Sequence, residues 1–254
     1  MSDKKKTTKL CGYDQDNIMV RDKDLVNDLM GKVSFTEMLL LNLLGEIPSP
    51  VQTKIIDAVL VTIMEHGLIP SAIASRMTIY GAPESIQGAV AAGLLGVGDR
   101  FAGTASECAE LLDKIVAADE KEKKNTAKNL VQTLRQNKKP VPGFGHPIHK
   151  KIDPRVKRLI DITEQAGAKG DHIHAMYLLE TCLEENLGKK LPTNISAAIA
   201  AVLGEAGIPG KIMRGIILTA RCGGLVSHLL EEMENPSAGA MWHAIEETVP
   251  FEKE

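Results

Sequence analysis

The residues from 142 to 155, Pro142-Gly143-Phe144-Gly145-His146-Pro147-Ile148-His149-Lys150-Lys151-Ile152-Asp153-Pro154-Arg155, gather the groups best suited to holding an anion and moving a proton. Glycines let backbone amides approach a ligand, and Pro142 and Pro147 restrict the chain around His146. The lysines and Arg155 supply positive charge beside an imidazole that titrates near neutrality. An isolated Gly-x-Gly-His also fits a basic surface turn, because short glycine motifs recur by chance. The longer run favours an anion-binding loop.

Other chemistry-bearing patterns carry less. Gly96-Val97-Gly98-Asp99-Arg100-Phe101-Ala102-Gly103 resembles a dinucleotide fingerprint, but it follows a helical stretch and its third glycine is misplaced. His172 and His174 beside Asp171 lack the i,i+3 or i,i+4 spacing that puts two ligands on one helix face, so they read as decoration of a helix start. His228 and His243 are read the same way by default, and no metal site is expected. The motifs G-x-S-x-G, H-E-x-x-H and the P-loop do not occur.

These groups need a scaffold, and composition bounds it. With 44% apolar and 25% charged residues, the 254-residue chain has an ordinary globular composition, which excludes disorder. Three tyrosines, four phenylalanines and one tryptophan leave little for base stacking, and a net charge of −3 gives no overall basic field. Neither nucleic acid nor membrane is an expected partner. Cys11, Cys108, Cys182 and Cys222 are scattered without a C-x-x-C pair, which points to reduced thiols and a cytoplasmic location. The basic start Lys4-Lys5-Lys6 is followed by polar residues rather than an apolar signal region.

The elements read as helices throughout. Residues 1–33 are polar and aperiodic and read as a partly ordered arm. Apolar residues at helical spacing follow from Ser34 to Leu44, and a second stripe of Ile55, Ile56, Val59, Leu60 and Ile63 ends near His66-Gly67. Pro70 opens a third helix, and the alanine- and glycine-rich stretch from Ser85 to Gly96 reads as a buried helix tightly approached by a neighbour. Residues 104–137 are helical, with a solvated surface or turn at 119–124. Further helices are predicted at 154–166, 171–187 and 194–206. Another runs from Pro209 toward Glu234 with a possible bend at Gly223-Gly224, and a short one from Pro236 contains Trp242. The fold class is all-α.

The series His66, Gly98-Asp99-Arg100-Phe101, the Pro-Gly-Phe-Gly-His loop with its Asp-Pro-Arg, and Arg221 with Gly223 and His228 resembles the citrate synthase superfamily over about residues 35–245. The Gly-Asp-Arg-Phe element and short length resemble citryl-CoA lyases and the citrate synthase-like module of ATP-citrate lyase more than full-length synthases. The resemblance implies a two-lobed helical homodimer: a large lobe of 34–104 with 213–254, a small lobe of 105–212, and the site between them. It implies that His146 handles the proton on the oxo-acid oxygen. It also implies that His66, Arg155 and Arg221 bind substrate, the arginines gripping carboxylates with a planar charged fork. Gly143, Phe144 and Gly145 would lie along coenzyme A, with Lys150 and Lys151 near its phosphates. The only cofactor implied is a coenzyme A thioester, itself a substrate, together with a 2-oxo acid or a citrate-like tricarboxylate.

Two positions depart from that family's pattern. Ala102 falls where the synthases carry an enol-stabilising histidine, and Ser196 in Asn194-Ile195-Ser196 falls where they carry the general-base aspartate. A serine hydroxyl is no base near neutral pH without an activating neighbour. Ser196 therefore orients a water, bonds the thioester oxygen or caps the following helix. The expected activity is citryl-CoA lyase-like cleavage to acetyl-CoA and oxaloacetate. The alternatives are a citrate synthase-type acyltransferase and a degenerate binder of acyl-CoA or carboxylates.

Overall fold

The computed structural model describes residues 6–145 and 153–253. Within them lie eleven α-helices: α1 (Phe35–Leu44), α2 (Pro50–Met64), α3 (Pro70–Gly81), α4 (Ile86–Leu95), α5 (Thr104–Val116), α6 (Lys123–Gln136), α7 (Pro154–Gln165), α8 (Asp171–Leu187), α9 (Ile195–Glu205), α10 (Gly210–Glu234) and α11 (Ala238–Thr248). The all-α expectation holds. No single helix among the described residues is long and apolar enough to cross a membrane.

Local signals explain most helix boundaries. Ser34 and Ser49 each close a capping box, with Glu37 and Gln52 respectively, so α1 and α2 begin with their first amides satisfied. Gln52 also donates from Nε2 to the Ala206 carbonyl at 3.0 Å, tying the start of α2 to the end of α9. Helix α9 lies at the centre. Every residue from Ala197 to Leu203 is buried, and α2, α5, α7, α8 and α10 all pack against it. A helix apolar on all sides can sit only inside such a ring. One hydrophobic core runs from Leu40 to Ala220, across the expected lobe boundaries.

Three expectations are corrected. The N-terminal arm contains a three-stranded antiparallel ribbon, β1 (Cys11–Tyr13), β2 (Ile18–Val20) and β3 (Lys23–Asp24), followed by a helical turn at Leu25–Leu29. Strands this short leave no alternation to detect, and the order comes from Val20, Leu29 and Leu41 packing together. Helix α4 is approached closely, since a Cβ on Gly93 would lie 2.9 Å from the Ser71 carbonyl oxygen. Yet it buries only Ala89 and Gly93 and leaves Leu95 86% exposed, so it is not an internal helix. Helix α10 continues unbroken through Gly223-Gly224.

A buried polar cluster fastens α3, α10 and α11 together. Arg76 of α3 donates from Nη1 to Glu232 Oε2 at 2.9 Å and also pairs with Glu231. Glu232 accepts the Ser237 and Ala238 amides at 2.7 and 2.8 Å and the Ser237 hydroxyl at 2.7 Å, which seats the start of α11. Burial alone would raise the Glu232 carboxyl, but these donors and Arg76 hold it down at about 2. Its folded value lies below the ordinary 4.5, so its contribution is fully present above about 4.5 and is lost as pH falls toward about 2. Glu232→Gln should cost roughly 3 kcal/mol in urea unfolding at pH 7, because it leaves Arg76 buried beside a neutral amide. The difference from wild type should shrink as unfolding is repeated at pH values below 4.5.

Candidate active site

The polar face of α10 carries Arg221, Gly224, His228 and Glu232, spaced to lie one above another, and all four are buried. Arg221 is 4% exposed. Its Nη1 donates to the Met64 carbonyl oxygen at 2.6 Å, satisfying the last turn of α2. Its Nε and Nη2 are buried with no partner among the described residues. Unpaired guanidinium donors in a core are costly, which marks Arg221 as a candidate partner for an acceptor outside the described residues.

Gly224 makes that arrangement possible. A Cβ there would lie 2.0 Å from the Met64 oxygen, a backbone atom that cannot move aside cheaply. The chain leaves α2 at Glu65 in an extended conformation (φ −128°, ψ 145°), and Gly67 turns it at φ +69°. His66 lies exposed on this turn. Glu65 Oε1 accepts the His66 and Gly67 amides at 2.7 Å each and His228 Nε2 at 2.9 Å. Burial pushes the Glu65 carboxyl up, but these donors outweigh it and hold it below its ordinary value.

A second group forms at the start of α9. Gly143 and Gly145 have φ of +90° and +91°, and a Cβ on Gly143 would meet that of Ala197 at 2.6 Å, so glycine is required there on both counts. Phe144 is buried and pairs with Thr193 in an antiparallel bridge. The Gly145 amide donates to the Pro192 carbonyl at 2.7 Å, and the Asn194 amide to the Gly143 carbonyl at 3.0 Å. Asn194 Nδ2 then donates to the Gly145 carbonyl at 2.8 Å, while its Oδ1 caps α9 by accepting the Ser196 amide at 2.9 Å. The helix cap is therefore Asn194. Ser196 sits half-buried in the first turn, which removes the capping role considered for it.

Arg155 opens α7 beside Asp153, which is fully buried. Arg155 donates from Nε to Asp153 Oδ1 at 3.0 Å and from Nη2 to Oδ2 at 2.8 Å. That edge of the fork is occupied, which leaves both Nη1 protons and the second Nη2 proton for another acceptor. Arg155 and Thr62, one turn before His66 on α2, line an open cleft of about 290 Å³. Helix α2 thus touches both arginine sites, while α9 and α10 also pack on it. No hydrogen bond joins the side chains of His66, Arg155, Arg221 and Ser196 among the described residues. His146, Lys150 and Lys151 lie outside the described residues.

Ala102 is buried within the main core at 1% exposure. Cys108 packs beneath the loop near Gly143, and burial pushes its thiol up to about 12, which keeps it protonated. His172 points to Asp113 at 3.2 Å at the start of α8, consistent with a structural role. Among the described residues no cluster suited to a metal ion occurs. The sequence reading missed Glu65, Arg76 and the α10 partner Glu232. A signal was present: Arg221, His228 and Glu232 recur at intervals of seven and four within an otherwise apolar helix face.

A family model described as "Citrate synthase, C-terminal domain" matches residues 10–242. The fold is similar to that of a citryl-CoA lyase from Hydrogenobacter thermophilus, with a TM-score of 0.87 and 29% identity over 98% of this chain and 94% of that one. A mutant ATP citrate lyase from Methanosaeta concilii, solved in complex with (3S)-citryl-CoA, shares the fold at a TM-score of 0.78 and 16% identity, over 100% of this chain and 42% of that one. A citrate/2-methylcitrate synthase of Bacillus subtilis (strain 168) is 29% identical over 211 residues, 80% of this chain and 54% of that protein. The chain spans about half the length of the curated relatives it matches.

Gly224→Ala should fold with a displaced α2 terminus. Any carboxylate that docks on Arg221 should then bind about tenfold or more weakly by calorimetry, the loss of a charge-assisted contact. Retention of wild-type affinity would remove Arg221 from the site.

Proposed function

Because this chain belongs to the citrate synthase family, we propose that it cleaves citryl-CoA, or a related 3-hydroxy-3-carboxyacyl-CoA, to acetyl-CoA and oxaloacetate. The observation that carries this reading is Arg221, a buried guanidinium pinned to α2 through Nη1 and, among the described residues, without a partner on Nε and Nη2. A tricarboxylate thioester supplies the carboxylate that such a fork lacks. Cleavage is favoured over condensation by the likeness, along most of both chains, to a citryl-CoA lyase.

In the proposed reaction His146 takes the proton of the 3-hydroxyl, and the alkoxide collapses to the carbonyl of oxaloacetate. The carbon–carbon bonding pair passes to the acetyl-CoA enolate, which is protonated at carbon. Arg221 and Arg155, with His66, hold the carboxylates in place as charge moves. The backbone of 143–145, shaped by two positive-φ glycines, would lie along coenzyme A with the Gly145 amide already spent on Pro192, and Lys150 and Lys151 would lie near its phosphates. Ser196 stands at the positive end of α9, where its hydroxyl donates to the thioester oxygen as enolate charge develops.

Condensation of acetyl-CoA with oxaloacetate is the second reading, supported by the relatives named as citrate synthases. Purified protein supplied with citryl-CoA should release oxaloacetate without free CoA. Release of CoA from acetyl-CoA plus oxaloacetate would instead select the synthase, and activity in neither mixture would leave a binding protein. His146→Ala should abolish turnover without unfolding, and Ser196→Asp should raise synthase activity if the missing carboxylate is what separates the two reactions.

We also propose that the chain is a homodimer. Val226, Leu230 and Met233 on α10, Trp242 and Ile245 on α11 and Val249 just after it are exposed apolar side chains, which support this reading. Light scattering should give twice the 27.4 kDa chain mass, and a monomer at micromolar concentration would refute this.

A further inference from the structure

The polar face of α10 does more than seat Arg221. Arg76 reaches His228 Nδ1 from Nε at 3.0 Å and from Nη2 at 2.8 Å. A guanidinium has donors only, so Nδ1 must accept, and the ring proton therefore sits on Nε2. That Nε2–H donates to Glu65 Oε1 at 2.9 Å. The same oxygen holds the His66 and Gly67 amides. An uninterrupted chain of hydrogen bonds thus runs from buried Arg76 through buried His228 to the exposed turn that carries His66.

This chain does not serve the helix it touches. Glu65 lies beyond the last helical residue of α2, and the final carbonyl there is already satisfied by Arg221. Three donors converge instead on one carboxylate oxygen whose only backbone targets are the next two residues. A half-exposed glutamate does not need a buried histidine and arginine behind it for stability, because surface carboxylates are solvated without help. What the arrangement does fix is the orientation of His66 relative to Arg221, since both are now referenced to the same end of α2.

We infer that His228 is a positioning residue: locked as its Nε2–H tautomer by Arg76, it fixes Glu65 so that the His66-Gly67 turn faces the substrate held by Arg221. The identity of that substrate rests on the proposed function, whereas the orienting of the turn does not. Arg76 is itself balanced by Glu231 and Glu232, so the charges meeting at His228 come from α3, α10 and the end of α2 together.

The test uses the full chain with His228→Leu, His228→Gln, Glu65→Ala and the His228→Leu/Glu65→Ala double variant. Two readouts are taken: amide hydrogen exchange at His66 and Gly67, and kcat and KM for citryl-CoA. The leucine and alanine variants should each speed exchange at both amides and lower kcat/KM by about tenfold, the loss of one hydrogen bond to a charged group. The kinetic loss should appear mainly in KM, and the double variant should be no worse than His228→Leu alone. His228→Gln keeps a donor toward Glu65 and should recover most of both. A folded His228→Leu protein with unchanged exchange, unchanged kcat/KM, or losses that multiply in the double variant overturns the inference. Should His228→Leu fail to fold, Glu65→Ala decides alone, because its side chain is half-exposed. Should wild type fail to cleave citryl-CoA, the proposed function falls, and the inference is judged on amide exchange and citrate affinity.

Discussion

The contact on which the site depends is the close approach of α10 to the end of α2, with the Met64 carbonyl oxygen resting over Gly224 and accepting Arg221. Helices seldom meet backbone to backbone, because a Cβ on either one holds them apart. Here the absence of that one atom lets an arginine reach across and satisfy a helix terminus, with Nε and Nη2 left buried and without a partner among the described residues.

The same logic recurs at the start of α9. Gly143 takes a positive φ and leaves no room for a side chain against Ala197, so the loop lies flat on the helix. Asn194 then uses both ends of its amide, one to cap α9 and one to hold the Gly145 carbonyl immediately before His146. Rigid helices thereby set the position of a loop whose own residues are chosen for reach rather than stability. Both halves of the site are carried by elements packed on α2, which makes that helix the common reference for the arginines and the loop.

The helices were legible in the sequence because their signals are local. Prolines and apolar stripes placed α1, α2, α7 and the start of α3 to within a residue or two. The β-ribbon was not legible, since three-residue strands offer no period and are ordered by a distant leucine pair. Helix α4 misled for a related reason: small apolar residues indicate close approach, but not whether the opposite face is also covered. The glycine loop was visible as a run of residue types. Its anchoring by Asn194 was not, because the partners are about fifty positions apart in the chain.

By itself the sequence determined the all-helical class and the loop of residues 142–155 that gathers glycines, a histidine, lysines and an arginine. These follow from composition, spacing and motif, all of which are properties of neighbouring residues. Only the tertiary structure decided that Arg221 has no partner on two nitrogens among the described residues while Arg155 spends two on Asp153, and that Arg76, His228 and Glu65 form one path to the His66 turn. A side chain's free donors depend on what the rest of the fold brings within about 3 Å of it, and those neighbours lie up to 163 positions away along the chain.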